Sequence, residues 1–167
     1  MKNSIKLFAF ATFCLLSFQS FASDIKTVKI KGEIMLSTNE SVATKIYVFE
    51  GNQLIDSTTT TRTGKFDIEL PLGNKYVVEL KQDGFLSKRM AINTEVSDLN
   101  KRVPNFSFLC ELVKVENSIY TAELDFPVTL IKMNEKKGEF EFNSTYTKVM
   151  LKKYNSMNQQ MSQKFEF

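Results

Sequence analysis

Residues 27–36 read TVKIKGEIML, and apolar side chains recur there at every second position. Such alternation places one face of an extended strand on a core and leaves the other face in water. Gly32 interrupts the apolar row, where we expect a bulge or a close approach of another backbone segment. The pattern predicts a β-strand with an inner row of Val28, Ile30, Ile34 and Leu36 and an outer row of Lys29, Lys31 and Glu33.

Similar segments follow at residues 45–49, 54–60, 65–70, 76–80 and 87–92, joined by turns that contain glycine. Both faces of 45–49 are apolar, so it is predicted as a central strand with Tyr47 and Phe49 partly covered. Short strands recurring about every ten residues are typical of an all-β sandwich. We therefore predict an all-β fold, an antiparallel β-sandwich of the seven-strand type, over residues 23–96.

Four ordered motifs lie within residues 27–96: Ile30–Ile34, Ala43–Val48, Thr60–Ile68 and Tyr76–Phe85. Together they resemble the carboxypeptidase regulatory-like domain, a transthyretin-like and Ig-like sandwich common in exported proteins of Gram-negative bacteria. One departure is Val42-Ala43, where that family often has proline. The resemblance implies an accessory module beside a zinc carboxypeptidase domain or before an outer-membrane barrel, and it transfers no catalytic residue.

Residues 1–22 have the form of a signal peptide, with two lysines, an apolar run and small residues near the end. Cleavage between Ala22 and Ser23 is predicted, with a periplasmic location or one peripheral to the outer membrane. A lipoprotein interpretation through Cys14 is disfavoured because bulky Phe13 does not suit that processing. No later stretch contains the ~20 apolar residues of a transmembrane helix, so none is predicted in the mature chain.

Charge excludes one class of partner. Without Lys2 and Lys6, the 22 basic residues become 20, against 19 acidic ones. Nucleic-acid binding needs a concentrated excess of cations, so no nucleic-acid partner is predicted.

Composition also restricts chemistry. The chain has no histidine, and Cys110 is the single cysteine of the predicted mature part. The usual zinc hydrolase sites and the nucleophile–histidine pairs therefore cannot be assembled, and no enzyme, metal or cofactor is predicted. Cys110 is interpreted as a small buried hydrophobe. A carboxylate-only glycosidase stays an open alternative, although Asp67 and Glu69 are predicted to be solvated.

Residues 97–167 form the predicted C-terminal extension, with further strands and a helix near 144–161 that Asn143 or Ser144 could cap. The helix places Tyr146, Met150, Tyr154 and Met157 near one face. This stripe either packs on the sandwich or docks on a partner, and its four residues are the candidate interaction residues.

Together these patterns predict a non-catalytic, exported binding or structural subunit. Its expected role is that of an accessory component that contacts an outer-membrane barrel or a secretion or assembly complex, through a sheet edge or the helix. The alternative is a periplasmic module that binds peptide or glycan at the loops 37–43 and 93–105.

Overall fold

The computed structural model describes residues 26–38, 43–98, 102–114 and 126–163, with side chains through residue 156. The predicted processing site at Ala22 and Ser23 lies outside these residues. The described part contains strands β1 Thr27–Leu36, β2 Lys45–Glu50, β3 Gln53–Thr59, β4 Lys65–Pro71, β5 Lys75–Lys81, β6 Lys88–Asn93, β7 Phe106–Leu112, β8 Pro127–Asn134 and β9 Glu139–Phe142, followed by helix α1 Ser144–Gln163.

The strands form two sheets that enclose one main core, so the chain is an all-β sandwich with a C-terminal helix. One sheet has three strands in the order β4-β1-β7, and the other has six in the order β3-β2-β5-β6-β8-β9. The predicted alternation of β1 is confirmed, since Val28, Ile30, Ile34 and Leu36 are buried. The predicted central position of residues 45–49 is also confirmed, because β2 lies between β3 and β5.

The observed arrangement differs from the predicted antiparallel seven-strand type in two respects. The described residues form nine strands, and two pairs, β1 with β7 and β6 with β8, are parallel. Parallel neighbours need a crossover of about a dozen residues. β6 and β8 are joined by residues 94–126, which include β7 of the other sheet, and β1 and β7 are joined by residues 37–105.

The strands of the predicted extension are integral to both sheets. β7 pairs with β1, and β8 and β9 continue the larger sheet beyond β6. Their side chains Phe106, Phe108, Leu112, Ile131 and Phe140 belong to the same buried cluster as those of β1 and β5. The predicted boundary at residue 96 therefore does not separate two hydrophobic cores, because the strands after it complete the first one.

Helix α1 begins directly after β9, and both elements lie along the same edge of β8. β9 pairs only with residues 131–134, and the N–H of Asn143 then donates to the carbonyl of Leu130 at 2.8 Å. Along the helix, the hydroxyls of Thr147 and Thr129 lie 2.6 Å apart. The Tyr146 hydroxyl donates to the carbonyl of Pro127 at 3.0 Å. The first turns of α1 thus lie along the part of β8 that β9 does not reach.

Candidate interaction surfaces

The apolar stripe of α1 faces the sandwich. Tyr154 is 1% exposed and packs with Leu86, Val128 and Phe126, while Tyr146 is half-buried against β8. The ring of Tyr154 is therefore covered by the sandwich, whereas part of Tyr146 remains exposed, and a partner contact of the stripe stays a prediction. The physical reason is that the open end of the sandwich offers Leu86 and Val128 as the nearest apolar surface for the stripe.

The other two helix candidates give less information. Met150 is half-buried, and the side chain of Met157 lies outside the described residues. Elsewhere on the helix, Val149 is 62% and Leu151 37% exposed. The structure thus brings Tyr146 and Tyr154 together on β8, and it leaves a different pair of apolar residues in solvent.

A polar cluster lies beside Tyr154 at this end of the sandwich. Lys88 donates from its Nζ to the carbonyl of Glu111 and lies 5.4 Å from the centre of the Tyr154 ring. Burial raises the pKa of the half-buried Cys110 thiol, and nearby Lys88 only partly opposes this effect. A thiol with a raised pKa stays protonated at neutral pH and is a poor nucleophile.

The carboxylates of β4 are exposed and neutralised by a lysine. Lys29 Nζ lies 2.5 Å from Asp67 and 4.0 Å from Glu69 across the β1–β4 pair. The hydrogen bond from Lys29 lowers the pKa of Asp67, which keeps this carboxyl ionised and unsuited to act as a general acid. Within the described ranges, no group of three or more histidine, cysteine or acidic residues could hold a metal ion.

Three surface cavities open on different parts of the sandwich. One of about 370 Å³ lies over the three-stranded sheet, between Lys31, Lys65 and Ser107. A second, of about 350 Å³, is formed by residues 102–105 and Gly138 in the end loops. The third, of about 300 Å³, lies on the six-stranded sheet beside Phe49 and Val77. Each is large enough for a side chain or a small ligand.

Strand β3 is the most open edge of the described sheets. It is the outermost strand of the larger sheet, and none of its side chains is buried; Leu54 is 50% and Ile55 42% exposed. It contains one charged residue, Asp56, and no proline or lysine. Natural edges normally carry such residues to block pairing with other chains. Edge strand β3 therefore offers unpaired backbone groups with little protection.

The other edges are protected. Strand β4 carries Lys65, Asp67 and Glu69 and ends at Pro71. Strands β7 and β9 approach each other on the opposite side of the sandwich, where the rings of Phe106 and Phe142 lie 5.2 Å apart. The sequence predicts β3 as a strand but not as this open edge. The available signal was Leu54 next to Ile55 before a polar run, which gives no inward-facing apolar row.

In the part of the chain that the structure describes, no helix has the length and hydrophobicity needed to cross a bilayer. No protein-family model matches the sequence, and no curated protein does either. Three similar solved structures illustrate the likeness of fold. A catechol 1,2-dioxygenase from an Acinetobacter species is 11% identical, with a TM-score of 0.43, over 65% of this chain and 59% of that one.

The second is a 3-chlorocatechol 1,2-dioxygenase from Rhodococcus opacus, 10% identical with a TM-score of 0.41, over 57% of this chain and 62% of that one. The third is a type II cohesin–X-dockerin complex from Acetivibrio cellulolyticus, 16% identical with a TM-score of 0.40. It matches over 58% of this chain and 64% of that chain. This chain thus spans less than two thirds of each of them, and no function is transferred from them.

Proposed function

We propose that the mature chain is a non-catalytic binding subunit of the Gram-negative cell envelope, exported to the periplasm, that contacts an outer-membrane protein or a secretion or assembly complex. The observation on which this proposal depends is the open edge of β3. The signal-like segment 1–22 supports export, and the resemblance of residues 27–96 to the carboxypeptidase regulatory-like domain supports an accessory role.

The chemistry of β3 defines the segment it would accept. An extended segment of the partner adds to the sheet next to β3, and its main chain pairs with the free N–H and C=O groups. Leu54 and Ile55 provide apolar contacts, and Asp56 favours a basic residue opposite it. The partner therefore contributes an extended, partly apolar segment with a lysine or arginine near its centre.

The experiment is an affinity pull-down of envelope proteins with the mature chain. In the edge variant Gln53→Lys/Ile55→Lys, two exposed side chains of β3 become cations that hinder strand addition. The matched control is Leu109→Lys on β7, since Leu109 is 60% exposed and lies in the other sheet. Unfolding temperatures and circular dichroism establish that all three chains fold.

We expect wild type and Leu109→Lys to recover the same envelope component and the edge variant to recover about tenfold less, equivalent to about 1.4 kcal/mol. Recovery of nothing above background by the wild type would remove the proposal. Equal recovery by the edge variant would show that β3 is not the contact.

A second function, binding of a peptide or glycan, is favoured by the cavity of about 350 Å³ in the end loops. Arg102 is exposed at its rim, and Ser97 ties the neighbouring loop to the turn of Glu135 through two hydrogen bonds of 2.9 and 2.6 Å. A ligand at a hundred times its Kd stabilises a protein by about 2.7 kcal/mol. In a screen of acidic glycans and peptides, a ligand that binds there should raise the unfolding temperature of the wild type but not that of Arg102→Ala. A screen without any shift would exclude this function.

A further inference from the structure

The backbone of edge strand β3 points alternately toward β2 and toward the free edge. The N–H of Thr60 donates to the carbonyl of Thr44 at 2.9 Å, so these two residues form a hydrogen-bonded pair. Opposite residues of an antiparallel ladder alternate between hydrogen-bonded and non-hydrogen-bonded pairs. Three positions further along the same register, Ser57 and Tyr47 therefore form a non-hydrogen-bonded pair. The N–H and C=O of Ser57 thus point away from β2, toward the free edge.

The N–H of Ser57 is covered by a side chain of its own strand. It donates to Oδ1 of Asp56, the preceding residue, at 2.7 Å. Both residues are exposed, and the ion pairs of the described residues do not include Asp56. The Asp56 carboxylate therefore occupies a main-chain donor that an added strand needs, and no cation of the described chain holds it elsewhere.

The covered N–H is one of few main-chain donors that β3 offers at its edge. Ile55 is skipped in the pairing with β2, and this bulge interrupts the regular ladder. Between the bulge and the end of β3, the groups that point outward are those of Ser57 and Thr59. A strand that adds to β3 while Asp56 stays in place therefore loses a main-chain hydrogen bond at the centre of a short interface.

A cation on the added strand removes this cover. Directly opposite residues on neighbouring strands have Cβ atoms about 5 Å apart, so a lysine or arginine opposite Asp56 takes its carboxylate into an ion pair. The N–H of Ser57 is then released toward the main chain of the added strand. A second copy of β3 brings no cation, because Asp56 is its one charged residue. Two copies of this edge therefore cannot uncover each other.

We propose that Asp56 is the specificity-determining residue of the β3 edge, where its carboxylate covers the N–H of Ser57 until a lysine or arginine of an extended partner segment displaces it. Recognition of charge is thereby coupled to main-chain pairing, and uncharged strands are rejected. The inference deepens the proposed function and rests on its strand addition at β3. The envelope origin of the partner is not part of it.

The probe is a labelled peptide of about seven residues, the length of β3, with threonine and valine on either side of a central lysine. Matched peptides carry glutamine or glutamate in place of the lysine. Binding to the mature chain is measured by fluorescence anisotropy at low and at high salt. An exposed ion pair alone changes affinity by about fivefold at most. Because release of a main-chain donor adds to this, the lysine peptide should bind at least about tenfold more tightly than the glutamine peptide, and less so at high salt.

Two substitutions of Asp56 separate the cover from the charge. Asp56→Ala removes both, so it should bind the glutamine peptide about fivefold more tightly than wild type and no longer distinguish it from the lysine peptide. Asp56→Asn keeps an oxygen acceptor beside Ser57 but no charge, so it should bind both peptides as weakly as wild type binds the glutamine peptide. The matched control Asp83→Asn makes the same change in net charge at an exposed turn residue and should bind as wild type does.

Self-association gives a second readout. In sedimentation velocity, Asp56→Ala should associate more strongly than wild type and Asp56→Asn should not, because only the alanine variant has an uncovered edge. Attraction of the cation without release of the Ser57 N–H predicts instead that Asp56→Ala binds the glutamine peptide no better than wild type, and this result would overturn the proposal. So would equal self-association of Asp56→Ala and wild type, binding of none of the peptides, or an equal change in Asp83→Asn.

The pull-down of envelope proteins separates this inference from the proposed function. If the peptides behave as expected and no envelope component is recovered, the role of Asp56 stands and the envelope role falls. If wild type recovers a component that Gln53→Lys/Ile55→Lys does not, while peptide binding is independent of Asp56, the proposed function stands and this inference falls.

Discussion

The turn before β4 depends on Gly64, whose backbone lies against the carbonyl group of Ile34. Its φ is 79°, and a Cβ atom there would lie 2.1 Å from that carbonyl oxygen. The N–H of Ile34 also donates to the Gly64 carbonyl at 2.9 Å, so the two segments cannot separate without losing this bond. We predict that Gly64→Ala lowers the free energy of unfolding by about 3 kcal/mol.

Gly51→Ala provides the comparison, since Gly51 has a φ of 59° with no atom within 4 Å of the added Cβ. It bears only the backbone strain, about 1 kcal/mol. Urea unfolding of both variants measures the difference. Equal losses of unfolding free energy would mean that the backbone at Ile34 moves away from the added Cβ without cost.

Tyr154 combines a buried ring with a hydroxyl that has no hydrogen-bond partner among the described residues. Tyr154→Ala removes the packing with Leu86 and Val128 and should cost about 3 kcal/mol. Tyr154→Phe removes only the unsatisfied hydroxyl, so stability should stay the same or rise by up to about 1 kcal/mol. Thermal unfolding measures both changes. A clear loss in Tyr154→Phe would show that the hydroxyl has a partner.

At the residue scale, sequence predicted which side chains belong to apolar rows but not what they touch. At Gly32 the structure has neither a bulge nor a close backbone neighbour; the space of its missing side chain is taken by the ring of Phe66, which would lie 2.1 Å from an added Cβ. The membership of Tyr154 in the helix stripe was readable from spacing. Its contact Leu86 was not, because Leu86 lies outside any strand and only the folded chain brings it to the helix.

The N-terminus of α1 is held by Asn143, whose Oδ1 accepts a hydrogen bond from the N–H of Tyr146 at 3.1 Å. This is the N-cap interaction, and its loss in Asn143→Ala should cost about 1 kcal/mol. Asn143→Asp keeps an acceptor and adds a favourable charge at the positive end of the helix dipole, so it should keep stability within a few tenths of a kcal/mol. Far-UV circular dichroism during urea unfolding follows both. Identical losses would exclude a capping role.

The pair of β1 and β4 is linked across its outer face by Lys29 and Asp67. Hydrogen bonding to Lys29 lowers the folded-state pKa of Asp67, so its contribution to stability is present above the unfolded pKa and is lost as pH falls through the folded one. The pKa of Lys29 is raised by the same bond, so its contribution disappears as pH rises through that raised value. The pair therefore acts from mildly acidic to mildly alkaline pH.

We predict that Asp67→Asn lowers the unfolding temperature slightly at neutral pH and not at all once the pH has fallen below the lowered folded-state pKa of Asp67. The effect is small because both side chains are solvated. Glu69→Gln, whose carboxylate lies 4.0 Å from Lys29, is the control and should have a smaller effect. A difference between wild type and Asp67→Asn that persists unchanged in acid would contradict this account.

At the element scale, the period of two identified β1, β4, β5 and β6, each of which has a buried inner row, unlike β3. It did not predict that β3 is an edge or that β7 and β8 are parallel to their neighbours. Alternation specifies which face of a strand is buried. Which strands become its neighbours, and whether they run parallel to it, depends on pairing between segments that are far apart in the sequence.

At the scale of the whole molecule, one sheet has three strands and the other has six, and strands from the C-terminal part of the chain complete both. β7 covers the side of β1 that β4 leaves open, and β8 does the same for β6. Ile30 and Ile92 are fully buried near the centres of their sheets. The strand of each pairs with one strand that precedes residue 96 in the sequence and with one that follows it. Cooperativity should therefore extend over the whole sandwich.

This expectation is tested by shortening the mature chain. A chain that ends at Asp98 lacks β7, β8, β9 and α1, so β1 and β6 each lose a neighbour and apolar residues of the core face water. We predict that it shows no cooperative urea transition and binds ANS. A chain that ends at Asn143 keeps both sheets and loses only the helix, so it should unfold cooperatively with a lower midpoint. Cooperative unfolding of the shorter chain near the wild-type midpoint would instead mean that residues 27–96 fold as an independent domain.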